Sequence, residues 1–167
     1  SLVSLAYPGV PIDVLNDSGI GITRPEDAVF NQAIVEYWNI EAFFPASVPN
    51  ATPEGSPTTL LNWQLQQDSN INLGMLSYAQ DATIGSFFLG LDASVFESLL
   101  RSTVADVEAE NPQRVRSFIA EGSSHTFLGG DLSLSVEGVT LYDWVDAMVN
   151  GSSESWQSVS GPPTRDE

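Results

Sequence analysis

Apolar and polar positions follow two alternating rhythms along this chain. Short runs that are mostly apolar give way to longer stretches in which apolar residues recur every three or four positions. The first pattern suits a buried or half-buried strand, the second one face of a helix. Pro11 to Asn16 is a short β-prone run, closed by Asp17-Ser18-Gly19, with Gly19 and Gly21 as punctuation. Thr23-Arg24-Pro25-Glu26 carries a helix start, with Thr23 as N-cap, Pro25 in the first turn and Glu26 at the capping-box offset. The predicted helix runs to about Asn39, with Val29, Phe30, Ala33, Ile34, Tyr37 and Trp38 at helical spacing. Phe44 to Thr59 holds four prolines and reads as a surface loop.

Leu60 to Gln67 is a predicted short helix, and Ile71 to Ala79 a buried strand ending at Gln80-Asp81. Ala82 to Leu91 brings in Ile84, Phe87, Phe88 and Leu89. Asp92 to about Asn111 is an amphipathic helix, with Val95, Leu99, Val104 and Val107 near one stripe. Arg116 to Ala120 is a further strand, ending in Glu121-Gly122-Ser123-Ser124-His125. A last helix, Thr140 to Val149, carries Leu141, Trp144, Val145 and Met148 on one face. Strands alternating with helices predict an α/β domain with a mostly parallel sheet flanked by helices. Ligands in such sheets bind beyond the carboxyl ends of the strands. The polar residues there are Asp17-Ser18, Asp81 and His125.

Composition narrows the function. The chain has 167 residues, 42% of them hydrophobic, enough for one domain with a real core and too many for a chain disordered throughout. The formal charge is −17, yet charged residues make up only 16%. The imbalance therefore reflects scarce bases, below the usual charged share of about 25%. The five bases are scattered arginines, which excludes a stripe for nucleic acid or anionic membranes. No apolar run approaches the roughly 20 residues of a transmembrane segment. The absence of cysteine excludes a disulfide scaffold, a thiol nucleophile and a cysteine-ligated metal. Such a surface fits a secreted or envelope protein, or one living in salt. The first residues show neither an initiator Met nor a signal peptide, so a processed chain or a fragment is expected. The Ser-, Gly- and Pro-rich stretch 151–167 reads as a flexible tail, with Trp156 as an anchor.

His125 is the sole histidine, and its strand-end loop suits a general base near neutral pH; it equally suits an ordinary loop histidine. Asp81 either orients that imidazole or caps the following helix. Asp81 followed by His125 matches the acid-then-base order of Ser-Asp-His hydrolases of the α/β class. No Gly-x-Ser-x-Gly elbow exists in the chain. Ser18 is the one serine that directly follows a strand and precedes Asp81, but it lacks the elbow's first glycine; Asp17-Ser18-Gly19 also reads as an Asx-type turn. One histidine is too few for a typical metal site, no EF-hand or phosphate loop is present, and no cofactor is expected.

The segments IDVLNDSGIG, SYAQDATIGSFF and SFIAEGSSHTFL, followed by LYDWVDAMV, resemble the pectin acetylesterase family of serine carboxylesterases, which includes the Notum-type lipid esterases. The likeness is to bacterial members, covers about Pro11 to Trp156, and is most specific at Gly122-Ser123-Ser124-His125-Thr126 with Asp143-Trp144-Val145. It implies that residues 1–150 form the later part of an α/β-hydrolase-like esterase domain. Asp81 would be the triad acid, His125 the triad base, and Asp17-Ser18-Gly19 would line or support the pocket. The implied substrate is an acetylated polysaccharide or a small ester. The implied serine lies upstream of Asp17, so the missing N-terminal part of the domain is an expected partner. The alternative is a non-catalytic extracellular carbohydrate-binding or interaction module, with Trp38, Trp63, Trp144, Trp156, Tyr37, Tyr78 and Tyr142 as candidate sugar platforms.

Overall fold

A computed structural model of the chain describes residues 3, 6–24, 26–37, 39, 57–151 and 154–164. The elements are β1 (Ile12–Asp17), α1 (Ala28–Tyr37), α2 (Pro57–Gln67), β2 (Ile71–Tyr78), a π-helix (Ala82–Phe88), α3 (Ala93–Glu110), β3 (Val115–Ala120), β4 (Ser135–Val136), β5 (Val139–Thr140), α4 (Leu141–Asn150), β6 (Val159–Gly161) and β7 (Pro163–Thr164). The main sheet runs β1-β2-β3-β6, with every neighbouring pair parallel. The chain is therefore an α/β fold built on a parallel sheet with flanking helices. The nearly continuous apolar run of β2 reflects its central place, covered on both faces.

Strand side chains alternate between the faces and so divide the core in two. Leu73, Met75, Val115 and Ile119 pack with Leu65 of α2 and with Phe96, Leu100, Val104 and Val107 of α3. Leu76, Phe118 and Ala120 pack on the opposite face with Leu141, Trp144 and Met148 of α4 and with Trp156. Gly74 permits that second approach, because a Cβ there would sit 3.0 Å from the Trp144 ring and 3.1 Å from the Met148 sulfur.

Several predicted boundaries shift. The α1 helix starts at Ala28, and the Asp27 carboxylate accepts the Phe30 N–H at 2.9 Å, so Asp27 takes the capping role expected of Thr23. Pro25 and Trp38 lie outside the described residues, as do residues 44–56 of the predicted proline-rich loop. The α2 helix begins at Pro57, because proline suits the first helical turn, where its missing N–H costs nothing. The buried stripe of α3 is Phe96-Leu100-Val104-Val107, whereas Val95 is 45% exposed and Leu99 half-buried. Residues 95 and 99 sit one position, about 100°, around the helix from that stripe.

The expected flexible tail is the clearest correction. Residues 154–164 are built into the fold: β6 extends the main sheet beside β3, β7 pairs with β4, and Trp156 is buried against Trp144. The Arg116 guanidinium also donates to the Trp156 carbonyl at 3.0 Å. Burial of one large indole and the pairing of two short strands outweigh the loop-forming composition around them. Among the described residues no single helix is long and apolar enough to cross a membrane; the π-helix and α3, which together have the length, meet at a bend of 119°.

At the other side of the sheet β1 pairs only with β2, so its outer edge is unpaired among the described residues. The helix α1, next in the chain, has no buried residue, and Val29 and Tyr37 are each 82% exposed.

Candidate active site

Beyond the carboxyl ends of β2 and β3 the two chains stay hydrogen-bonded. The Ala79 N–H donates to the Ala120 carbonyl at 2.8 Å, Gln80 to Gly122 at 2.9 Å and Ala82 to Ser123 at 3.1 Å. This ladder carries residues 121–124 alongside 79–82 and brings His125 back over Asp81. Gly122, at φ +125°, makes the bend, a conformation that a side chain would strain.

The His125 Nδ1 lies 2.8 Å from the Asp81 Oδ2. The Asp81 side chain is 0% exposed and the imidazole 38%. The other Asp81 oxygen, Oδ1, accepts the N–H groups of Thr83 and Ile84, both at 2.9 Å, and so caps the π-helix. Capping a helix and orienting an imidazole were alternatives in sequence; in the structure one carboxylate does both, with one oxygen for each. Since the carboxylate that Nδ1 faces is an acceptor, Nδ1 carries the proton in the neutral ring and Nε2 keeps its lone pair. Among the described residues no group hydrogen-bonds Nε2.

The base of the dyad is braced. Gln80, next to Asp81, donates to Glu97 at 3.1 Å, and Glu97 pairs with Arg101, whose guanidinium donates onward to the Ser160 hydroxyl at 2.6 Å. The Gln80 amide, and then Arg101, hold the Glu97 carboxyl below the usual carboxylate range.

Ser18 points its hydroxyl at the main chain of the histidine loop. It is buried, with φ +66°, and its hydroxyl donates to the main-chain carbonyl of His125. The Asx-type bonding comes from Asn16, whose amide group exchanges hydrogen bonds with Gly19 at 2.9 and 3.0 Å. That leaves Asp17 free to reach across to the histidine loop. Its carboxylate accepts the Phe127 N–H at 3.0 and 3.1 Å and the Leu128 N–H at 2.9 Å. The position of Asp17 at a strand end was visible in sequence, but this long-range role was not.

Cavities of about 530 and 550 Å³ lie along α2 and α3 and beside Arg24, and neither is lined by Asp81 or His125. Among the candidate sugar platforms, Trp144 and Trp156 are buried in the core and Tyr78 is stacked on Phe127 with ring centroids 4.2 Å apart; Trp38 lies outside the described residues.

Comparison with protein-family models, with curated proteins and with solved structures returns no match to this chain.

Proposed function

We propose that Asp81 and His125 are the acid and base of a serine carboxylesterase of the pectin acetylesterase type, deacetylating a polysaccharide or a related ester outside the cell or in its envelope. One observation carries the reading: a buried carboxylate, fixed by two backbone N–H groups, holds Nδ1 of the only histidine at 2.8 Å, with Nε2 free of partners among the described residues. The chain order and strand-end placement of the pair agree with it.

The serine belongs to a preceding segment of the same domain. Two features support this: the chain holds no Gly-x-Ser-x-Gly, and the outer edge of β1 is unpaired among the described residues. A parallel strand seated on that edge would deliver its own carboxyl end to the side of the sheet where His125 stands. In the complete site Nε2 takes the proton as the serine oxygen attacks the ester carbonyl, then returns it to the departing alcohol. Water hydrolyses the acyl-enzyme by the same proton shuttle in reverse. Asp81 keeps the ring in the required tautomer and stabilises the imidazolium. A charge of −17 gives no help in approaching a polyanion, so the reading favours a weakly charged ester or a screened encounter.

The test is hydrolysis of p-nitrophenyl acetate by the 167-residue chain and by a longer chain that includes the preceding coding sequence. The shorter chain should show little or no turnover. The longer should be active and lose roughly 10³-fold or more on His125→Ala. Activity of the longer chain untouched by His125→Ala would overturn the proposal.

A further inference from the structure

We infer that Asp17 and Ser18 form a clamp that sets the position of His125, making both of them positioning residues for its imidazole; the inference rests on the dyad reading above. Three contacts converge on residues 125–128 from a strand more than a hundred positions earlier in the chain. The Ser18 hydroxyl binds the carbonyl of His125 itself, and the Asp17 carboxylate binds the N–H groups of Phe127 and Leu128. The loop is thus held through both of its polar backbone directions, acceptor and donor. Hydrogen bonds to an ionised carboxylate are shorter and stronger than neutral ones, and they suit a segment with little regular structure of its own.

Both clamp residues are themselves fixed. Ser18 sits in the left-handed region, and its N–H donates to the Leu76 carbonyl at 2.8 Å, which continues the β1–β2 ladder one residue past the strand. A serine seldom adopts that conformation without compensation. Here the turn aims its hydroxyl at His125. Phe127 adds an apolar anchor, buried and packed on the rings of Tyr78 and Phe118. Asp81 grips the ring at Nδ1, while Ser18 and Asp17 grip the backbone that leaves the side chain's root, at the His125 carbonyl and at the two N–H groups that follow it. Two points of attachment define where Nε2 stands; one would leave the ring free to pivot with its loop.

The clamp also belongs to β1, the strand whose outer edge would receive the serine-bearing segment. It therefore links the base to the same strand that locates the nucleophile.

The experiment is proton and nitrogen NMR of the 167-residue protein labelled with ¹⁵N, in which the sole histidine gives one set of ring signals. The wild-type chain should show a protected Nδ1 proton. Asp17→Ala and Ser18→Ala should each raise its exchange with water at least tenfold, with Asp17→Asn intermediate, while circular dichroism stays native. Leu100→Ala, a core change in α3, should lower thermal stability at least as much and leave the Nδ1 signal alone. If both clamp variants fold and keep wild-type exchange, the inference is wrong although the dyad stands. If Asp17→Ala does not fold, Ser18→Ala decides. If the wild-type chain shows no protected Nδ1 proton, the dyad reading itself falls.

Discussion

Replacing Asp81 by asparagine separates the two tasks of its carboxylate. The asparagine Oδ1 can still accept the N–H groups of Thr83 and Ile84, so the π-helix keeps its cap. At the other oxygen, a donor amide replaces the acceptor facing Nδ1. The ring must then present Nδ1 as acceptor, and its proton moves to Nε2. The stability cost is the exchange of a charge-assisted hydrogen bond for a neutral one, about 1 kcal/mol. For a domain of this size that is roughly 2–4 °C in Tm. Asp81→Ala removes the cap as well, worth about another 1 kcal/mol, and leaves a buried site without its acceptors. The total should reach about 2–3 kcal/mol, or roughly 5–10 °C. Two-bond nitrogen–proton correlation at a pH where the imidazole is neutral reads the tautomer directly, and calorimetry reads Tm. The Asn variant should carry the proton on Nε2 and lose far less stability than the Ala variant. An Asn variant that retains the Nδ1–H form, or that unfolds as early as Ala, would refute the division of labour between the two oxygens.

Other outcomes follow from the same contacts. Phe118→Ala, at a fully buried ring set edge-on to both Phe127 and Trp144, should cost about 3–5 kcal/mol in urea unfolding. Gly85→Ala should lower Tm by several degrees, because the new methyl would lie 2.8 Å from the Phe96 ring and force the π-helix away from α3. Deleting residues 154–167 should abolish cooperative unfolding in calorimetry, since it removes Trp156 and two sheet strands. Acid should weaken the fold through Glu97 and Asp27, whose carboxyls are held below their ordinary values by Gln80 and Arg101 and by the Phe30 N–H and Arg24. Groups shifted that way stabilise above their unfolded pKa, about 4, and lose that contribution as the pH falls through the lower folded value. Glu97→Gln should therefore flatten the fall of Tm below pH 4, and an unchanged slope would discount the Gln80–Glu97–Arg101 brace.

The strands and helices that carry the dyad were legible because their signals are local. The apolar run Ile71–Tyr78 and the strand-end rule led from periodicity to Asp81 and His125 without any knowledge of their contact. What stayed hidden depends on distant partners. Nothing within β1 says that Asp17 will meet backbone N–H groups 110 positions on. In α3, Val104 and Val107 are buried as their spacing predicts, but Val95 and Leu99 are as apolar as Phe96 and Leu100 beside them, and only packing chooses between two stripes one residue apart. The β4–β5 hairpin turns through Glu137 and Gly138, both at positive φ, and glutamate is an unusual first residue for such a turn. The strands near the C-terminus are two and three residues long, too short to leave a periodic trace.

The two-oxygen arrangement at Asp81 bears on how this molecule could evolve. A substitution that retuned the imidazole by changing its carboxylate partner would at once unpin the Thr83–Ile84 turn. Natural drift and laboratory selection would both meet a larger stability toll at position 81, where a helix cap and an imidazole contact go together, than at 125, where one hydrogen bond to the buried carboxylate is lost. On the esterase reading proposed above, lineages that gave up the reaction would be expected to shed the histidine first and carry the aspartate onward, preserved by its architectural duty.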